Sequence, residues 1–438
     1  MNFDKYERSH VGEIVQWIIS DSSMRIIAIT GPRQTGKTTI AIQACRRLME
    51  SNVPCQYFSM DNLGSENSDL TNLLRAGINP IRLARPIRLG GLPNEEMLVN
   101  LWEKARIAAH QLKQGLVLFL DEIQVIPRWS NIVKGLWDAD RREECPLRVV
   151  VLGSAPWRMM TGINESLMGR FDSFPVTHWS LKEMMTVFDF SVEEYIFFGG
   201  YPGPWEGRSK NTKIVEPYWK KYVLNSIILP AIDRDIVGLQ RIQKPPLMRQ
   251  LVDLAPTYSG QIISYNKMLG QLQDAGNTTT LAKYLDLLSD AGLMTTVSRY
   301  TSKTPAGKRA SSPKLNVLNT ALMTANSIFS FQDAQSNPSF WGHLVESAVG
   351  AHLHNTLTTG TRVHYWRDKK GNHEVDFVLA RGSHLLGIEV KSGKVRSRRG
   401  LRTFQKNYPR AKTMIVGDEE IPLSEFLCLD TEQLLENP

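Results

Sequence analysis

The stretch Gly31–Thr39 reads GPRQTGKTT and fits the pattern G-x-x-x-x-G-K-[ST]. The apolar run Ile26–Ile29 comes before it, and Ile40–Ala44, which reads as a helix, comes after it. Gly31 and Gly36 let the backbone turn tightly, so that its N–H groups can converge on phosphate oxygens. Gln34, Thr35 and Thr39 belong to the same loop. The Lys37 ammonium can reach the outer phosphates, and the Thr38 hydroxyl can ligate Mg²⁺. The helix adds the positive end of its dipole to the same point. A strand, a loop of this kind and a helix in that order imply an α/β fold.

A second apolar run, Leu116–Leu120, is suited to a strand buried on both faces and ends in Asp121-Glu122. A carboxylate just past such a strand holds the Mg²⁺ shell in P-loop NTPases, and its neighbour can orient and deprotonate the attacking water. Asp121 and Glu122 are assigned these roles, with ATP and Mg²⁺ as cofactors. A third run, Arg148–Leu152, leads into Gly153-Ser154. The Ser154 hydroxyl is expected near the γ-phosphate, between the other two motifs.

The chain has 438 residues, enough for about three domains of roughly 150 residues each. No segment approaches about 18 consecutive apolar residues, so a membrane span is not expected. The start MNFDKYERSH lacks the basic-then-apolar pattern of a signal peptide. Four scattered cysteines with no C-x-x-C pair fit reduced thiols, and a cytoplasmic location is expected. The formal net charge is +8, which permits a nucleic-acid partner. Between Lys391 and Lys412 stand nine basic residues and no acidic one. Arg299, Lys303, Lys308, Arg309 and Lys314 form a second basic stretch. A solvated face or loop remains the plain alternative for each.

The third run with its polar residue, and the later Gly169-Arg170-Phe171, resemble the AAA+ class of ATPases. The resemblance makes Ser154 a sensor and Arg170 a finger reaching the nucleotide of a neighbouring subunit, hence a homo-oligomer, with a hexamer as one form. A surface salt bridge is the alternative for Arg170. The motifs DEIQ at Asp121–Gln124 with Pro127 and Trp129, GGYP at Gly199–Pro202 and DRDI at Asp233–Ile236 resemble one prokaryotic family of AAA+ ATPases. Its C-terminal region is a domain of unknown function related to nucleases. The resemblance spans nearly the whole chain and implies an ATPase core over 1–180 and a helical lid or linker over 181–238.

Residues 239–320 read as a winged-helix-like module: a short helix near Ile262–Leu269, a second capped at Asn277-Thr278, and two strand-like runs joined by a basic loop. In such a motif the second helix can enter a DNA groove. Lys283 is the only basic residue on that helix, so packing as a lid or against a partner remains the alternative.

Residues 321–438 carry a second constellation. Three strand-like runs, His364–Arg367, Val375–Leu379 and Leu386–Lys391, follow a helical stretch that contains Glu346. Strand alternation puts Glu389 and Lys391 on one face, and Asp376 can add a carboxylate from the next strand. This arrangement resembles the PD-(D/E)xK, or restriction-endonuclease-like, superfamily. By resemblance, Glu346, Asp376 and Glu389 would bind Mg²⁺ or Mn²⁺, Lys391 would position or activate water, and Gln405 could help hold the site. Hard carboxylate oxygens suit such a metal, which would polarise a phosphodiester. Two alternatives stay open: a carboxylate ion-pair network, or a domain that binds nucleic acid without cutting it. The basic residues from Lys394 to Lys412 would then neutralise DNA phosphates.

Two functional readings follow. One is an oligomeric ATPase that remodels or translocates DNA and carries a metal-dependent nuclease-like domain. The other is an ATP-controlled regulatory or defence switch whose C-terminal domain is a non-cleaving DNA- or protein-binding module.

Overall fold

The computed structural model describes residues 6–20, 23–60, 94–153, 167–206, 216–237, 242, 244–273, 276–301, 312–393 and 398–436, the side chains at 234, 235 and 237 excepted. These fall into two compact units, 2–176 and 177–438.

The first unit is built on five parallel strands: β1 (Ile26–Thr30), β2 (Cys55–Ser59), β3 (Leu116–Asp121), β4 (Leu147–Gly153) and β5 (Phe171–Pro175). Their order across the sheet is β2-β3-β4-β1-β5. The unbroken apolar runs read from the sequence follow from burial on both faces. Alternate residues divide between two cores. Ile26, Ala28, Leu118, Leu120, Val149 and Val151 enter one core with the helices Glu95–Gln111 and Trp129–Arg142. Ile27, Ile29, Val117, Phe119, Val150 and Leu152 enter the other with Ser9–Ser20 and Lys37–Glu50. Strand β4 lies between β1 and β3, as expected for the residue that follows it. That residue, Ser154, lies outside the described residues.

The second unit holds a six-stranded mixed sheet made of β6 (Met294–Arg299), β7 (Lys314–Val317), β8 (Arg362–Arg367), β9 (Glu374–Arg381), β10 (His384–Val390) and β11 (Lys412–Val416), in the order β11-β10-β9-β8-β6-β7. Helices Tyr265–Leu269 and Thr278–Asp290 precede the antiparallel hairpin β6–β7, which is the element order expected of a winged helix. The hairpin is not a free-standing wing, however. Strand β6 also pairs in parallel with β8, through Ser298↔His364 and Arg299↔Tyr365, so the hairpin forms one edge of the larger sheet. The expected boundary at residue 320 falls between strands of this one sheet. The basic loop of the hairpin lies outside the described residues.

The region 181–238, expected as a helical lid or linker, holds the helices Leu181–Phe188, Val192–Phe198 and Glu216–Tyr222. In the structure they pack within the second unit. Phe197, Phe198, Trp219 and Phe331 form one aromatic group, and Lys220 Nζ donates to the carbonyls of Ser327 and Phe329 at 3.1 and 3.0 Å. The GGYP motif belongs to this packing. Gly199 has φ of 70°, and a Cβ there would lie 1.9 Å from Asn319 Oδ1. The Gly200 N–H donates to that same oxygen at 3.2 Å. A Cβ on Gly200 would lie 2.1 Å from the Trp179 carbonyl oxygen. The motif is therefore a packing device. Replacing Gly199 by Ala should destabilise the second unit by roughly 2 kcal/mol or more, through overpacking and a strained φ. Gly135→Ala, where nothing lies within 4 Å of the new Cβ, should be neutral or slightly stabilising. Thermal or urea unfolding of the two variants checks this, and equal stability for both would refute it.

Candidate functional site

The carboxyl ends of β1, β3 and β4 meet at one edge of the parallel sheet, the edge where α/β folds bind their ligands. The loop after β1 runs directly into the helix Lys37–Glu50, with Gly36 in the left-handed region at φ 89°. A Cβ on Gly31 would lie 2.1 Å from the Val176 carbonyl oxygen, so the loop can pass there only as glycine. Lys37 is buried, and its Nζ donates to the carbonyls of Gly31 and Pro32 at 2.9 and 2.6 Å. Thr35 is tied down by its own hydroxyl, which donates to the Pro32 carbonyl, and by Arg8, which donates to the Thr35 carbonyl at 3.0 Å. Gln34 takes a left-handed φ of 62° within the turn.

Asp121 is the centre of the site. It is buried, and its Oδ2 accepts from the Thr38 hydroxyl at 2.7 Å and from the Tyr57 hydroxyl at 2.5 Å. Its Oδ1 accepts from the Glu122 N–H at 2.8 Å. Three backbone segments are thus clamped to one carboxylate. Thr38 and Asp121 together present hard oxygens suited to Mg²⁺, and the glycine loop with Lys37 suits a polyphosphate, so these residues fit Mg²⁺–ATP. Glu122 sits at φ 51°, and its carboxylate accepts from the Gln124 amide. Gln124, from the DEIQ motif, thereby holds the carboxylate assigned to water activation. Trp129 of the same stretch is a core residue.

Arg170 lies at the opposite edge of the sheet. Its carbonyl accepts from the Ile26 N–H, and Phe171 is in register with Ile26 at the start of β1. Four residue steps of about 3.3 Å separate that level from the loop, so Arg170 is about 13 Å or more from its own phosphate site. The guanidinium pairs with Asp138 through two contacts, at 2.8 and 3.2 Å.

In the second unit Glu346, Asp376, Glu389 and Lys391 come into one neighbourhood. Among the described residues, no group of three or more His, Cys, Asp or Glu side chains could hold a metal ion. A residue that sequence reading left in a basic stretch stands among the expected ligands Glu346 and Asp376. Lys314 of β7 is fully buried, and its Nζ lies 2.5 Å from Glu346 Oε1 and 4.0 Å from Asp376 Oδ1. It also donates to the Asp376 carbonyl at 3.0 Å and stands 4.6 Å from the centre of the Phe377 ring. Burial by itself would lower the Lys314 pKa, but Glu346 and Asp376 outweigh it and raise it. Burial raises the Glu346 pKa against the pull of Lys314. Asp376 Oδ2 accepts from the Val390 N–H at 2.7 Å. Glu389 Oε1 pairs with Lys391 at 2.8 Å, and its buried Oε2 has no hydrogen-bond partner. Glu346 and Lys391 line a cleft of 560 Å³ with Ser339, His343 and Ser392. Gln405 bonds the Ala411 carbonyl instead of joining the cluster.

The basic segment is divided. Arg402 and Lys406 are exposed on the helix Arg399–Asn407, with Arg410 and Lys412 exposed after it. Arg398 is engaged by Glu419 and Glu420. Lys394 and Arg396 lie outside the described residues. Among the described residues no helix is long and apolar enough to cross a membrane.

The first unit has the geometry of a P-loop nucleotide-binding domain, with Walker-type lysine, hydroxyl and carboxylate at one sheet edge. Residues 23–185 match a family described as an AAA domain, which supports an AAA-type ATPase core in this unit. Residues 189–332 and 341–430 match two families described as domains of unknown function, DUF8612 and DUF4143. No curated protein matches the chain. Among solved structures, the chain is similar to a separately solved ATPase domain, at 11% identity over 33% of this chain and 62% of that one, with a TM-score of 0.23. The chain thus spans less than two thirds of that structure. The Thermotoga maritima RuvB Holliday junction branch migration motor matches at 14% identity over 69% of this chain and 92% of that one, with a TM-score of 0.29. The Aeropyrum pernix Orc1 protein in complex with DNA matches at 12% identity over 75% and 94%, with a TM-score of 0.29. At such TM-scores these likenesses carry no weight for function.

Sequence reading missed Tyr57 as a member of the candidate site, and the pairing of β2 with β3 brings it to Asp121. Removing its hydroxyl should loosen the orientation of that carboxylate. Tyr57→Phe should raise the Mg²⁺ concentration needed for half-maximal ATP hydrolysis by about tenfold, as expected for a group that orients a metal ligand. Nucleotide binding without Mg²⁺ should not change. A magnesium titration of hydrolysis, with equilibrium nucleotide binding alongside, checks both halves.

Proposed function

We propose that the chain is an oligomeric ATP-hydrolysing protein that acts on DNA, with its AAA-type core controlling what the C-terminal domain does. One observation carries the ATPase reading: Thr38 and Asp121 lie 2.7 Å apart at the mouth of a glycine loop that also holds the buried Lys37. Bound Mg²⁺–ATP would supply the γ-phosphoryl group and screen its charge. The loop N–H groups and Lys37 would bind the phosphates, and Thr38 and Asp121 would hold the ion. The Glu122 carboxylate takes the proton of the attacking water, and Gln124 fixes where that carboxylate points. Ser154 is assigned to sense the γ-phosphate.

Arg170 is too far from its own loop to touch the nucleotide bound there, which supports a finger acting on a neighbouring subunit in a ring such as a hexamer. Asp138 holds the guanidinium in the single chain, and a neighbour's phosphates would compete for it. The exposed Arg402, Lys406, Arg410 and Lys412 support a phosphate-backbone contact with DNA.

For the C-terminal domain, one form of the reading has Glu346, Asp376, Glu389 and Lys391 cleave strands with a metal. The other makes the domain a non-cleaving DNA- or protein-binding module under ATP control. The Lys314 ammonium between Glu346 and Asp376 favours the second form.

Lys37→Ala should abolish tight nucleotide binding. Glu122→Gln should bind ATP normally and hydrolyse it roughly a hundredfold or more slower, the loss expected for a general base. A near wild-type rate in Glu122→Gln would remove Glu122 from that role. Arg170→Ala should likewise bind ATP and hydrolyse it slowly. Mixing it with Lys37→Ala subunits should restore part of the activity, because mixed interfaces pair an intact loop with an intact finger. A protein that stays monomeric at all concentrations with full ATPase activity would refute the finger.

A further inference from the structure

We infer that Lys314 is the resident cation of the C-terminal carboxylate cluster and that it keeps divalent metal out of it. The inference deepens the non-cleaving form of the proposed function and rests on that reading of the domain.

The geometry argues by exclusion of volume and charge. A divalent ion shared by Glu346 and Asp376 would sit about 2.0–2.6 Å from an oxygen of each. Lys314 Nζ already lies 2.5 Å from Glu346 Oε1 and 4.0 Å from Asp376 Oδ1. The two cations would then stand within a few ångströms of each other beside the fully buried Lys314, at carboxylates that are only partly exposed, where like charges repel strongly. Lys314 cannot step aside cheaply. It has no exposed surface, and its ammonium is fixed further by the Asp376 carbonyl at 3.0 Å and by the Phe377 ring. Displaced from the carboxylates, it would be a buried, unpaired charge.

A second pair closes the other side. Lys391 Nζ holds Glu389 Oε1 at 2.8 Å, so that carboxylate also has a cation supplied by the chain. The remaining oxygen, Glu389 Oε2, is buried without a hydrogen-bond partner. That oxygen is a further acceptor that a divalent ion could use once the Lys314 charge is removed. The arrangement is thus a cation site whose occupant is covalently part of strand β7. Because β7 belongs to the hairpin at the sheet edge, the same contact pins that hairpin to β9 and to the helix Pro338–Asn355 that carries Glu346.

The test is Mn²⁺ binding to nucleotide-free full-length protein, read by calorimetry and by the shift in melting temperature. The wild type should show no Mn²⁺ binding that Asp376→Asn removes. Lys314→Met, which keeps the stem and deletes the charge, should gain a Mn²⁺ site at least about tenfold tighter than anything in the wild type, and Mn²⁺ should raise its melting temperature. Adding Asp376→Asn to Lys314→Met should abolish the gain. Should Lys314→Met fold poorly, Mn²⁺ present during refolding should restore it, and failure to restore it would overturn the inference. Two other results would overturn it: Mn²⁺ binding in the wild type that Asp376→Asn removes, and no gain of binding in Lys314→Met. The double variant Lys314→Met, Glu346→Gln removes both charges of the closest pair and should be more stable than Lys314→Met alone. DNA binding measured on the same samples keeps the two readings apart. It depends on Arg402 and Lys406, so its absence in every sample would sink the DNA-binding module while leaving the metal result to stand or fall alone.

Discussion

Everything at the nucleotide edge depends on one buried carboxylate. Asp121 accepts hydrogen bonds from Thr38 on the helix after the loop, from Tyr57 on β2 and from its own successor Glu122. A carboxylate buried without such partners would carry a large desolvation penalty. With them, it links the phosphate loop to two neighbouring strands and fixes the height of the loop above the sheet. The same bonds set the chemistry. In the proposed reading Asp121 is a metal ligand, and the groups that orient it are a tyrosine hydroxyl and a backbone N–H. The alternating cores on the two faces of the sheet make the platform stiff, so the position of Asp121 is set by strand register as well as by local hydrogen bonds.

How much of this was legible in the sequence follows from range. The phosphate loop, its strand and its helix lie within about two dozen residues, and each residue type there answers a local backbone or phosphate need. Continuous apolar runs announced doubly buried strands for the same reason. Tyr57 was not legible, because its partner is 64 residues away and only strand pairing brings the two together. The meaning of GGYP was hidden in the same way: Gly199 is glycine because Asn319 is beside it, 120 positions on. The hairpin β6–β7 looked like a wing because helix, helix and hairpin came in that order. What decided its role was a parallel pairing with β8, which no local pattern encodes.

Lys314 is the sharpest case. In the sequence it ends a basic stretch with Arg299, Lys303, Lys308 and Arg309, and charge runs normally face water. Strand β7 is instead buried at every position, and the lysine turns inward to meet Glu346 and Asp376. Composition could not separate this lysine from its neighbours in the run, since the difference lies in which strand covers it.

The two acidic centres of the molecule therefore solve the same electrostatic problem in opposite ways. At Asp121 the carboxylate is satisfied by neutral donors, a threonine and a tyrosine hydroxyl and a backbone N–H. Among the described residues no cationic side chain pairs with it, so in the proposed reading its charge is left for a cation brought with a nucleotide. At Glu346 and Asp376 the compensating charge is built in as an ammonium. A site that must take up and release a cation in each turnover needs the first arrangement, because a resident charge would have to be displaced each time. A site that must only hold elements together is served by the second, at the cost that losing either partner strands the other in the interior. In the proposed reading the first arrangement serves turnover in the first unit, and the second serves cohesion between β7, β9 and the helix Pro338–Asn355.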